Sequence, residues 1–491
     1  MQRTATLLGL ALSAALLPAQ SLDDRISSIL AAPAARGATW GIHAVSASTG
    51  QVVYSRNASA VLTPASNTKL FTTALGLLRL GPGYRFETRV LASGRPDPQG
   101  VLHGGLRLAG GGDPTLSARR IPYQKGPIEG DPLAPLALLA DQVAAAGVRV
   151  IDGDVIGDDT RWPYDPYPGG WAIGDMPWDY GAPVSALTLN DNSLTITVRP
   201  GKSAGDPAAV SLSPSLEYFT IHNTLRTLPG AERRITIHRA PASRVLEISG
   251  TAPPNSAALT DYLAVDDPAA FAAEAFAQLL RARGISIRGR VLAAHRHAGV
   301  PYSEPAGTVL ASRQSPPLAE TLQVIDKVSQ NLHAEIVLRE IGHVTRGEGS
   351  ASAAQKEMSA WLESLGAGKR EFEFEDGSGL SRRTLVNPLT VVTVLRALHQ
   401  SEHRETFRDL LPVGSEDGSL SSRFRGEKQA SLIRAKTGSI SHVAALSGYA
   451  GDGPGRRIAF SIIVNGATAP SSAVRVIIDK IAVALLEGGT R

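Results

Sequence analysis

The chain has no cysteine in its 491 residues. That excludes disulfide staples, a thiol nucleophile, any cysteine-ligated metal site and lipid attachment at an N-terminal lipobox. Stability must come from apolar cores, and a chain this long is expected to form two to four domains. Runs of Lys and Arg are also missing, and the net charge is only +4, so the charge pattern argues against a nucleic-acid partner. Beyond the N-terminus no segment approaches about 18 uninterrupted apolar residues, the least that spans a bilayer comfortably. His-Glu-x-x-His is absent: His333 and Glu335 do not complete it, which argues against a zinc peptidase. Gly-x-Ser-x-Gly is absent too, and with it the nucleophile elbow of an α/β-hydrolase.

The N-terminus carries an export signal. Arg3 precedes an apolar core over 7–17, and Ala19 offers a small residue before a cut near 20–21. The stretch is too short for a membrane span, so 1–20 is expected to be a cleaved signal peptide and the mature protein to be exported. Hydrophobic residues make up 43% and charged residues 19%, which suits a globular protein with a large core.

Along the mature chain, 22–32 has the spacing of a short amphipathic helix. Two strands follow at 41–46 and 51–55, joined by a Ser/Thr/Gly turn. A helical pattern opens at Ser66 and ends at Gly81-Pro82-Gly83. From 84 to 262 the texture is rich in Gly, Pro, Asp and short alternating segments, with one clear helix at 133–146. Helical texture returns at 268–283, 317–342 and 354–365. The chain closes with strands at 445–450 and 457–465 and a helix at 472–486. The expected fold is therefore an α/β (α+β) body made of 21–83 and 263–491, interrupted by one or two β-rich insert domains over 84–262.

Three short motifs carry the chemistry. In Ser66-Asn67-Thr68-Lys69 the i, i+3 spacing puts Ser66 and Lys69 on one helix face. A serine hydroxyl needs a neighbour to take its proton, and a lysine kept neutral by burial and nearby cations can do so. Ser329-Gln330-Asn331 offers a hydroxyl to relay a proton and an amide to hold a substrate amide. Lys436-Thr437-Gly438 sets an ammonium beside a hydroxyl, which suits a carboxylate. Its glycine lets a substrate backbone approach the strand closely, and Ser439 follows as a further N–H donor.

These motifs, in this order, resemble those of the penicillin-binding proteins and serine β-lactamases. The long interval between Lys69 and Ser329 is similar to that of the insert-containing D-alanyl-D-alanine carboxypeptidase/endopeptidase family of low-molecular-mass penicillin-binding proteins. Gly112-Asp113-Pro114-Thr115-Leu116, Ser315-Pro316-Pro317-Leu318 and Asp376-Gly377-Ser378-Gly379-Leu380-Ser381-Arg382 extend the likeness over nearly all the mature chain. Gln330 departs from the Asp that the family often carries there. The resemblance implies a penicillin-binding transpeptidase-like fold acting on peptidoglycan stem peptides outside the cytoplasm, in the periplasm or cell-wall space. It implies Ser66 as nucleophile, Lys69 as general base and Ser329 as proton relay. Asn331 would hold the peptide amide, Lys436 and Thr437 the terminal carboxylate, and Ser66 and Ser439 the oxyanion. It also implies that Asp175 contacts the amine, and Arg382 the carboxylate, of a diamino acid side chain. β-Lactams would act as covalent inhibitors, and no metal or organic cofactor is implied. A β-lactamase or esterase on the same scaffold is disfavoured by the large insert. A non-catalytic peptidoglycan-binding protein is disfavoured by the intact motif set.

Overall fold

The computed structural model describes residues 21–488; the expected signal peptide, 1–20, lies outside the described residues. The body is built on an antiparallel five-stranded sheet in the order Val52–Arg56, Thr39–Ser46, Ile458–Asn465, Val443–Ala450, Ile433–Ile440. Chain ends thus meet in the middle of the sheet, where Thr39–Ser46 pairs with Ile458–Asn465 over eight residues. Alternation along these strands feeds two cores. Ile458, Phe460, Ile462 and Val464 face the helices Leu22–Leu30 and Ser471–Gly488. Ala459 and Ile463 face the opposite layer, formed by the helices Lys69–Arg79, Leu318–Val328, Asn331–Arg346 and Pro388–Gln400. Ile433–Ile440 is an edge strand, and the three motifs converge beside it.

The interrupting block has its own core. A mixed five-stranded sheet runs Val291–Arg296, Val155–Pro163, Leu106–Ala109, Glu87–Ala92, Thr308–Gln314. The helices Ala134–Ala145 and Pro268–Ala282 pack into the same apolar cluster through Leu136, Leu139, Phe271 and Phe276. A smaller β portion adds a three-stranded sheet, Leu259–Ala264, Ser193–Arg199, Ala209–Ser213, and a four-stranded one centred on Val245–Ala252. Its Leu194, Ile196, Leu246 and Ile248 continue that cluster.

Strand pairing moves one expected boundary. Residues 263–314 were expected in the body, yet Val291–Arg296 and Thr308–Gln314 are strands of the insert sheet, and Pro268–Ala282 covers it. The chain re-enters the body at Ser315, not at 263. Entry and exit are locked together there: Ser315 N donates to Phe86 O at 2.9 Å, and Phe86 N donates to Ser315 Oγ at 3.0 Å. An amphipathic helix reveals that it covers a sheet but not which one, so helical texture alone misassigned this segment. A second difference is more consequential. The helical stretch expected over 317–342 is two helices, broken at the middle motif.

Candidate active site

Local geometry brings Ser66 and Lys69 together as the spacing predicts. A single 3₁₀ turn, Ala65–Thr68, leads into the helix Lys69–Arg79. Lys69 Nζ lies 3.0 Å from Ser66 Oγ. The turn is anchored at both ends: Asn67 Nδ2 donates to Ser447 Oγ at 2.6 Å, and Thr68 Oγ1 donates to Ala65 O at 2.9 Å. Ala65 is held at φ +48°, a conformation that costs a non-glycine residue about 1–3 kcal/mol. Gly379 fits against it: a Cβ there would stand 1.9 Å from Ala65 O.

Lys69 is fully buried. Beyond Ser66 its nitrogen donates to Asn331 Oδ1 and to Ser378 O, each at 2.6 Å. Burial, and then the positive charge of Lys436, hold its ammonium well below the usual lysine range. The Ser378 carbonyl is aimed by the loop that bears it. Gly377 N and Ser378 N donate to the Glu335 carboxylate at 3.0 and 2.8 Å. Asp376 accepts from Ser378 Oγ, Ser381 N and Thr384 Oγ1 at 2.8–3.0 Å. Burial, and then the Asp376 carboxylate, push Glu335 up to about 7.

Ser329 ends the helix Leu318–Val328 in a left-handed conformation, φ 62° and ψ 39°. The next helix, Asn331–Arg346, starts two residues later, its first N–H groups capped by Gln330, whose side chain accepts from His333 N at 3.2 Å. The departure from Asp at this position thus keeps the capping oxygen. The break turns Ser329 and Asn331 toward different partners. Ser329 Oγ accepts from Lys436 Nζ at 2.8 Å. Asn331 reaches Lys69, and its Nδ2 donates to Tyr180 O of the insert at 2.8 Å.

On the edge strand Lys436 is buried, and burial lowers its ammonium below the ordinary range while Asp326 opposes that shift. Thr437 Oγ1 donates to Ser419 Oγ at 2.8 Å. Gly438 is required by close approach: a Cβ would meet Pro64 O at 2.6 Å and Ser66 N at 3.2 Å. A pocket of about 180 Å³ opens beside it, lined by Ser419, Ser422, Thr437, Ser439 and Arg475 among others.

Asp175 and Arg382 lie one step away from these groups. Tyr180 OH donates to Asp175 Oδ1 at 3.4 Å, and Tyr180 O is the group that Asn331 holds. Arg382 is exposed and donates to Ser441 O at 3.4 Å, just past the edge strand. Sequence reasoning missed Ser378 and Glu335 as supports of Lys69, Ser419 as partner of Thr437, and buried Asp326. Of these only Ser378 stood in a stretch that the sequence singled out, 376–382, and nothing there assigned its carbonyl to Lys69.

Comparison with known proteins gives the family. The model of the D-Ala-D-Ala carboxypeptidase 3 (S13) family matches residues 22–486. A D-alanyl-D-alanine carboxypeptidase from an Actinomadura species is 36% identical over 478 residues, covering 95% of this chain and 84% of its own. The D-alanyl-D-alanine carboxypeptidase DacB of Haemophilus influenzae is 25% identical over 438 residues, covering 88% and 86%. Among solved structures, penicillin binding protein 4 of Haemophilus influenzae superposes with a TM-score of 0.81 at 22% identity, covering 94% of this chain and 99% of its own. That likeness supports the penicillin-binding fold with its insert. With a family match running from residue 22 to residue 486 and a 36% identical relative over nearly all of it, the chain belongs to the D-Ala-D-Ala carboxypeptidase 3 (S13) family.

Proposed function

We propose that the protein is an exported serine-type D-Ala-D-Ala carboxypeptidase and DD-endopeptidase that hydrolyses peptidoglycan stem peptides through a Ser66 acyl-enzyme. The observation that carries this reading is the 3.0 Å contact between Ser66 Oγ and a buried lysine whose charge is disfavoured. Ser66 Oγ attacks the carbonyl carbon of a D-Ala–D-Xaa bond and passes its proton to neutral Lys69. The N–H groups of Ser66 and Ser439 receive the oxyanion. Ser329 Oγ gives a proton to the departing amine and takes up in its place the one that Lys69 accepted from Ser66, so Lys69 is neutral again for deacylation and Lys436, which donates to Ser329 Oγ, keeps its charge. Water then attacks the ester, freeing the shortened peptide and restoring Ser66. Asn331 Nδ2, which bonds Tyr180 O in the free enzyme, holds the peptide amide. Lys436, Thr437 and the hydroxyl-lined pocket with Arg475 suit the terminal carboxylate. Asp175 and Arg382 read the charged ends of a diamino acid side chain, with residues 84–314 serving as the insert that presents Asp175 and Tyr180. A β-lactam, whose ring amide mimics the scissile bond, acylates Ser66 and leaves slowly. Penicillin binding protein 4 of Haemophilus influenzae has been solved with a β-lactam bound, which supports this part.

Incubation with a stem pentapeptide ending in D-Ala-D-Ala tests the reading. Release of free D-alanine by wild type and none by Ser66→Ala is expected. A folded wild-type protein that releases no D-alanine from the pentapeptide and cuts no crosslinked dimer would overturn it.

A further inference from the structure

Between the helix that carries Lys69 and the turn whose Ser329 Lys436 holds lies a buried carboxylate to which the three motifs give no role. Asp326 is on the last turn of the helix Leu318–Val328, three residues before Ser329, and is fully buried. Its Oδ2 accepts from Thr73 Oγ1 at 3.0 Å, and Thr73 Oγ1 also reaches Lys69 O at 2.8 Å. Oδ1 accepts no hydrogen bond among the described residues. A buried carboxylate with one oxygen unserved is expensive unless a nearby charge compensates it.

The charged neighbours come from each element around it. Burial pushes Asp326 up to about 7, and of the charges that draw it back Lys436 on the edge strand acts most strongly, then Lys69 on the nucleophile helix and Lys327 on its own helix. Lys327 is already neutralised, since its Nζ donates to Asp417 Oδ2 at 2.6 Å. From Asn331–Arg346, Glu335 is occupied by the N–H groups of Gly377 and Ser378. From Arg404–Leu410, Phe407 and Leu410 enter the core, while Glu405 and Asp409 pair with Arg457 and Arg434. The nitrogen of Lys436 makes its hydrogen bonds to neutral oxygens, Ser329 Oγ and Thr437 O. Among the described residues, Asp326 is the carboxylate whose charge opposes the effect of burial on Lys436.

We propose that Asp326 is the counter-charge that keeps Lys436 protonated while Lys69 is neutral, so that two buried lysines divide the labour of acylation. The inference rests on the Ser66 acyl-enzyme reading. Lys436 as a cation holds Ser329 and a substrate carboxylate. Its charge in turn disfavours a second ammonium at Lys69, which stays free to accept the Ser66 proton. Asp326 touches no substrate, so it is a positioning residue that acts through charge. Without it both lysines lose protons more easily, and Lys436, its stronger partner, loses most.

The test is the pH dependence of the second-order rate of acylation by benzylpenicillin, followed by intact mass. Asp326→Asn keeps the shape and an acceptor for Thr73 but removes the charge. Its alkaline limb should fall at a pH about one to three units lower than in wild type, with a smaller acidward move of the rising limb. Asp326→Ser, smaller and also neutral, should shift the same way and serves if the asparagine variant does not fold. Thr73→Val keeps the carboxylate but removes a hydrogen bond that favours its charge, so it should move both midpoints in the same direction by less than Asp326→Asn does. A neutral variant acylated with wild-type midpoints overturns the proposal, because a merely structural role changes the rate equally at all pH. Wild type that is never acylated overturns the acyl-enzyme reading instead.

Discussion

At the scale of single residues, the account turns on Lys69. Its nitrogen is buried, bonded to two neutral oxygens besides Ser66, and discouraged from holding charge by burial and by Lys436. Lys69→Met keeps the apolar stem and removes the amine. We expect acylation to fall about 100- to 10,000-fold, the usual contribution of a general base, with thermal unfolding little changed. The rate should rise with pH as Lys69 sheds its proton, and full activity well below neutrality would argue against a neutral lysine base. Gly438 gives a second residue-scale test. A methyl group at Gly438 would collide with Pro64 O and crowd Ser66 N, so Gly438→Ala should cut acylation about a hundredfold, as ångström-scale displacement does. An unchanged rate would mean that the nucleophile turn yields freely. Ser66, Lys69, Ser329, Asn331 and the Lys436–Ser439 run, which the structure brings together, stand out in the sequence because the proposed chemistry demands particular side chains at short fixed spacings. Asp326 does not, because a lone carboxylate in an amphipathic helix looks the same whether it faces water or the protein interior.

At the scale of elements, the site depends on breaks and loops as much as on helices. The left-handed Ser329 splits what reads as one helix, and serine carries no sequence signal for that conformation as glycine would. The break sends Ser329 to Lys436 and Asn331 to Lys69. The loop 376–384 performs the other service, turning the Ser378 carbonyl to Lys69 while its N–H groups rest on Glu335. Burial and Asp376 raise Glu335 above its usual 4.5, to about 7. Between those values the native protein holds a proton that the unfolded chain has released. The stabilisation tied to that proton is complete below about pH 4.5 and is lost as the pH climbs through 7. Glu335→Gln should therefore flatten the decline of Tm between about pH 5 and 7, and a slope equal to that of wild type would rule Glu335 out as its source.

At the scale of the whole molecule, the insert is wired to the catalytic body through buried charge. Glu340, fully buried on the helix Asn331–Arg346, accepts from Arg161 of the insert at 2.5 and 3.0 Å, and from Tyr84 OH at 2.5 Å. On the same helix His333 Nε2 lies 2.8 Å from Oδ1 of Asp191, whose Oδ2 accepts from Arg119. Trp171 Nε1 donates to Asp376 Oδ2 at 3.1 Å. These ties run to the helix and loop that aim Asn331 and Ser378. Arg161→Met would strand the Glu340 charge, and we expect a loss of about 3–5 kcal/mol of stability, read as a lower denaturant midpoint. An unchanged midpoint would show that the insert is only loosely attached. A β-rich interruption is legible in the sequence from its Gly, Pro and alternating texture, whereas the pairing of Thr308–Gln314 with Glu87–Ala92 is not, because it is a contact between distant segments. The central claim, that the whole assembly serves a Ser66 acyl-enzyme, is tested most directly by intact-protein mass spectrometry over time with benzylpenicillin. We predict a persistent one-to-one adduct on wild type and none on Ser66→Ala. An adduct that survives on Ser66→Ala, or its absence from well-folded wild type, would contradict the account.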